Sequence, residues 1–130
     1  MEIASWMTRD PVTIGPDERL ASAKTLMEAG RFRRLPVVDS GKLVGIITER
    51  DLRQHEGYLD STRVNAAMTA KPITVPPSTS ADEVARLMLK HKIGGLPIVE
   101  NHTLVGIIST SDLLRALLGV IEATGHMMDP

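Results

Sequence analysis

Cysteine is absent from the 130-residue chain, which excludes a disulfide framework, a thiolate zinc site and a cysteine nucleophile. Aromatic side chains are nearly absent too, with one Trp, one Tyr and one Phe, so the core must come from Leu, Ile, Val, Ala and Met. Stacking platforms for single-stranded nucleic acid are hard to find for the same reason. No long basic run occurs and the formal net charge is −1, which argues against a nucleic-acid partner held by summed charge. The opening MEIASWMTRD has no apolar centre like that of a secretory leader. The best apolar run near the C-terminus, LLRALLGVI, is interrupted by Arg115 and is too short to span a bilayer. A soluble cytoplasmic protein without a membrane partner is the expectation, and the missing cysteine fits a reducing compartment.

Catalytic groupings are also lacking. His55, His91, His102 and His126 are scattered, with neither metal-ligand spacing nor a paired nucleophile, so no metal, required cofactor or enzymatic activity is expected. Glu49, Asp51 and Asp112 are the carboxylates an acid/base reading would use, but the two aspartates are copies of each other and belong in separate places.

What the chain does have is an internal repeat. GIITERD, residues 45–51, returns as GIISTSD, residues 106–112, and one shift of 61 residues aligns the chain with itself without a gap from about Ile3/Val64 to Arg53/Leu114. Between Met7 and Arg53, 17 of the 47 aligned pairs are identical. Two halves of about 60 residues each would bury only a marginal core alone, so they should pack on each other. Residues 1–60 read as the first repeat, 61–124 as the second and 125–130 as a tail.

Each half reads as β-α-β-β-α, an α/β class. PVTI from Pro11 and PITV from Pro72 are the leading extended segments. A helix follows, capped in the second half by a Ser80/Glu83 capping box and in the first by Asp17. LPVVD and KLVGIIT, then LPIVE and TLVGIIS, are strand pairs joined at Ser-Gly and Asn-His, of which Ser-Gly suits a tight turn better. The unbroken LVGII runs suit strands covered on both faces. A final helix starts at Thr-x-x-Asp or Ser-x-x-Asp, and polar residues 54–66 link the halves.

MTxxPxT, an Ala-xxx-Met helix (Val84-xxx-Met88 in the second copy), LPVVD or LPIVE, and G-I-I-Thr/Ser-x-x-Asp, in order in both halves, resemble a tandem pair of cystathionine β-synthase-type (CBS) domains, or Bateman module. The resemblance covers roughly residues 3–120. It implies two three-stranded sheets packed about a pseudo-two-fold axis, with two clefts between the repeats. It also implies a regulatory role through adenosine-containing ligands such as AMP, ADP, ATP or S-adenosylmethionine. The family's Asp takes ribose hydroxyls and its Thr or Ser lies by the sugar or phosphate, roles that pass to Asp51 and Thr48, and to Asp112 and Ser109. The chemistry agrees: an ionised carboxylate accepts two vicinal hydroxyls, and a helix's first turn offers free amides.

The same resemblance brings the first strand and the start of the middle strand of one repeat to the Asp of the other. One cleft is then expected from Thr13, Phe32, Arg33, Arg34, Ser109, Ser111 and Asp112. The other is expected from Thr74, Ile93, Gly94, Gly95, Thr48, Arg50 and Asp51. Arg33 and Arg34 offer forks for phosphate oxygens, whereas Gly94 and Gly95 offer a bend, backbone amides and room, so phosphorylated ligands are expected to prefer the Asp112 cleft. Helix LLRALLGVIEA, residues 113–123, is apolar on more than one face. Leu113, Leu114, Leu117, Leu118 and Ile121 are therefore read as a homodimer face. The functional expectation is a regulatory module acting in trans on a partner protein, against the alternative of a structural dimerisation module with empty clefts.

Overall fold

A computed structural model describes residues 1–128, with side chains through Gly125. A 3₁₀ turn at Ile3–Ser5 leads into β1 (Thr8–Arg9), α1 (Leu20–Gly30), β2 (Arg34–Asp39), β3 (Lys42–Thr48) and α2 (Glu49–Gln54). The second half follows with α3 (Val64–Ala67), β4 (Thr69–Ala70), α4 (Ala81–His91), β5 (Gly95–Glu100), β6 (Thr103–Ser109) and α5 (Thr110–Met128). The helix thus runs through the first residues of the expected tail, whose last two residues, 129 and 130, lie outside the described part, as does the side chain of His126.

Two three-stranded sheets form, in the orders β2-β3-β4 and β1-β6-β5. Each sheet is a hairpin from one half completed by a two-residue strand from elsewhere. β4 pairs with β3, and β1 crosses to pair with β6. The expected leading strands are therefore displaced. PVTI and PITV each contribute one parallel bridge, Ile14 to Val37 and Val75 to Ile98, while the ladder partners lie just before them at residues 8–9 and 69–70. Gly45 and Gly106 permit this pairing. A Cβ on Gly45 would stand 2.9 Å from the Thr69 carbonyl oxygen and 2.5 Å from Met68 Sδ, and one on Gly106 would meet Thr8 and Met7 at the same distances.

The duplication extends to backbone detail. Positive φ recurs at matched positions: Asp10 and Lys71 (45° and 49°), Arg31 and Lys92 (56° and 55°), Ser40 and Asn101 (51° and 50°). The hairpin turns have both central residues at positive φ, which Gly41 adopts freely at 80° but His102 adopts at 66° against its Cβ. Each sheet covers its own helices. One core holds Leu20, Ala23, Met27, Leu35, Val37 and Ile47, and the other holds Ile3, Val84, Met88, Leu96, Ile98 and Ile108. Burying a side chain of this size contributes about 1.5–3 kcal/mol, and Phe32 and Trp6 pack only at the margins of the two cores. Ile46 and Ile107 point to the opposite faces, where β3 and β6 meet, so the LVGII strands are covered on both sides as their composition requires.

Two expected caps come out differently. Asp17 does not cap α1; it lies 3.8 Å from Arg63, and Arg19 at the N-cap makes no side-chain bond. The amides of Leu20 and Ala21 instead donate to the carbonyls of Thr62 and Leu59 at 2.9 and 3.1 Å, so the linker performs the capping. Ser80 does accept from the Glu83 amide at 3.3 Å, but the reciprocal bond that would complete the box is not formed. Backbone from the chain start lies there, with the Ala81 amide donating to Met1 O at 3.0 Å and Glu2 bridging Ser80.

Candidate functional site

The Thr/Ser-x-x-Asp signal forms the same closed unit twice. Thr48 Oγ1 accepts from the Asp51 amide at 3.3 Å, while Asp51 Oδ2 accepts from the Thr48 amide and hydroxyl at 2.8 and 3.0 Å. Ser109 and Asp112 repeat these bonds at the same distances. Each Asp therefore locks the junction between a central strand and the helix after it through Oδ2, so the capping bonds leave Oδ1 unused. Asp112 is 6% exposed and Asp51 only half-buried. Asp51 Oδ1 has no hydrogen-bond donor among the described residues, whereas Asp112 Oδ1 accepts from the Arg115 guanidinium.

Two clefts open beside these junctions. The Asp112 cleft encloses about 760 Å³ and the Asp51 cleft about 500 Å³, both within the range of small-molecule sites. The first gathers Phe32, Arg33, Arg34, Ser109, Ser111 and Asp112, all of them expected there. The second gathers Thr48, Arg50, Asp51, Ile93, Gly94 and Gly95, again as expected. Thr13 and Thr74 line neither cleft. Each precedes a buried residue on an extended segment, Ile14 or Val75, and alternation turns it outward to solvent. Val12 and Ile73 stand on the walls instead, with Thr8, Asp10 and Pro11 in one cleft and Thr69 and Pro72 in the other.

The expected difference in positive charge between the clefts is not found. Arg33 and Arg34 line both, because residues 33–34 and 94–95 are repeat mates that meet where the two sheets face each other. Arg50, Arg53 and Lys92 add further cations to the Asp51 cleft, and Arg31 and Arg115 to the Asp112 cleft. Gly94 and Gly95 are the space through which Arg34 passes. A Cβ on Gly95 would stand 2.6 Å from Arg34 Cδ and 2.9 Å from both Arg34 Nε and the Ile108 carbonyl oxygen, and one on Gly94 would stand 2.7 Å from Arg34 Nη2. Burial lowers the pKa of Arg34 below the ordinary arginine value, and neighbouring Arg33 adds to this while Asp112 opposes it. The guanidinium remains a cation. Arg33 is 3.6 Å from Glu49, which also pairs with Arg53 at 3.2 Å.

This doubled geometry has counterparts among known proteins. The CBS domain pattern matches residues 2–57 and again residues 64–119. The chain belongs to the CBS-domain family. A CBS domain-containing protein of Dictyostelium discoideum is 36% identical over 135 residues, covering 92% of this chain and 93% of its own. The inosine-5′-monophosphate dehydrogenase of Korarchaeum cryptofilum is 36% identical over 110 residues, 84% of this chain, and the chain spans about a quarter of that enzyme's length, 23%. A CBS domain pair solved in complex with 5′-methylthioadenosine and S-adenosyl-L-methionine is 29% identical, with a TM-score of 0.85 over 92% of this chain and 97% of that one. CBSX2 in complex with AMP is 28% identical, with a TM-score of 0.83 over the same shares. The tandem CBS pair read from the repeat is thus the fold of the molecule.

The long final helix carries a second surface. α5 exposes Leu114, Leu117, Leu118, Val120 and Ile121. Leu113 does not share that face, because it packs against the second core. Among the described residues no helix is long and apolar enough to cross a membrane.

Proposed function

We propose that this CBS pair is a regulatory module that binds adenosine-containing ligands in the clefts between its repeats and acts in trans on a partner protein in the cytoplasm. The observation that carries the reading is the pairing, in each cleft, of a strand-helix junction Asp with the shared Arg33 and Arg34. A carboxylate for a ribose diol and guanidinium groups for phosphate are the two recognitions a nucleotide needs. The complexes of related pairs with AMP, S-adenosylmethionine and methylthioadenosine support the same ligand class. Because both arginines serve both clefts, a ligand that draws them to one side changes the other, and Asp112 sits on the helix with the exposed leucines. Ligand binding is thereby linked to the arrangement of α5, provided the ligand favours one arrangement over another.

The stripe Leu114, Leu117, Leu118 and Ile121 follows the i, i+3, i+4, i+7 spacing of one helix face and favours a homodimer built on α5. Calorimetry with AMP, ATP and S-adenosylmethionine tests the ligand reading. At least one should bind, and Asp51→Ala or Asp112→Ala should weaken its cleft by about 1.5–3 kcal/mol. Analytical ultracentrifugation should show a dimer that Leu117→Glu weakens. A chain that binds none of the three and yet dimerises would leave the interaction module as the correct reading.

A further inference from the structure

The cleft carboxylates are not equally available. Asp51 Oδ1 is open, while Asp112 Oδ1 carries the guanidinium of Arg115 from the next turn of α5. One shift of 61 residues pairs Arg115 with Gln54, which makes no bond to Asp51. Gln54 and Arg115 each line the cleft of their own Asp. The difference is therefore one of occupancy at the carboxylate oxygen that the capping bonds leave unused, on junctions whose capping bonds are otherwise the same.

We propose that Arg115 is a specificity-determining residue that reserves the Asp112 cleft for anionic ligands and leaves the Asp51 cleft open to neutral ones. The inference rests on the adenosine-ligand reading above. A ribose diol entering at Asp112 must displace Arg115 from Oδ1. A neutral nucleoside returns nothing to the freed guanidinium, but a phosphate or carboxylate further along the same ligand accepts its charge-assisted bonds. Displacement is feasible because the Arg115 side chain is 66% exposed, while the Asp112 side chain is 9% exposed and held by its bonds to Ser109. At Asp51 the diol meets an unoccupied oxygen, so no displacement is needed and charge on the ligand matters less.

The experiment compares adenosine with AMP by calorimetry on the full chain. The Asp112 cleft is read in an Asp51→Ala background with and without Arg115→Gln, and the Asp51 cleft in an Asp112→Ala background with and without Gln54→Arg. Arg115→Gln should tighten adenosine about fivefold, the upper range for an exposed pair, and weaken AMP about threefold. Gln54→Arg should shift the AMP-to-adenosine ratio the other way. Opposite signs for the two ligands are the signature, because a purely structural effect on α5 would move both together. If Arg115→Gln leaves the ratio unchanged, or both ligands shift by the same factor, the proposal is overturned while the adenosine reading stands. If neither ligand binds the unsubstituted chain, that reading fails and this inference falls with it.

Discussion

The halves of this chain share a backbone and differ where they meet. Positive φ values agree within a few degrees at three pairs of positions, and both junction aspartates make the same capping bonds. Among the differences around the clefts are residues 33–34 against 94–95, Gln54 against Arg115, and the length of the last helix, six residues in α2 and nineteen in α5. The strand-helix junctions are kept in both copies, while the residues that meet between the two halves are not. At the pseudo-axis the two changes compensate, since one copy supplies a large cation and the other the glycines that give it room.

That compensation predicts the largest effect. Gly95→Ala should destabilise the chain by about 1–3 kcal/mol in denaturant unfolding, because the new methyl meets Arg34 and the Ile108 carbonyl. In an Arg34→Ala background the cost should fall by about 1 kcal/mol, since only the carbonyl clash remains. Equal costs in both backgrounds would break the comparison. A smaller effect sharpens it at the hairpins. His102→Gly should raise stability and Gly41→His lower it, each by about 1 kcal/mol, as the left-handed turn position is freed of a Cβ or given one. Thermal unfolding of the two variants reads the opposite signs.

The repeat made much of the fold legible. Strand pairs, turns, the helix after each Thr/Ser-x-x-Asp and the Asp junctions follow from local signals, and twelve of the fourteen residues named for the clefts stand on their walls. Three features were not legible, all for reasons of distance. β1 adds to the sheet of the other half, and nothing in the residues Thr8–Arg9 specifies which edge they join. The cap of α1 comes from linker carbonyls far along the chain, so no side-chain signal near Asp17 could reveal it. The sharing of Arg33 and Arg34 follows from their place where the repeats meet, whereas the resemblance assigned them to one cleft. The Arg115 contact was within reach of the sequence, three residues past Asp112 on a helix, a spacing that brings side chains together.

A crystal structure of the full chain with AMP tests the central claim most directly. The account predicts the nucleotide in the clefts between the repeats, its ribose hydroxyls on Asp51 or Asp112 and its phosphate within hydrogen-bond reach of Arg33 or Arg34. A nucleotide bound outside both clefts, a phosphate out of reach of both arginines, or clefts left empty at saturating AMP would contradict it.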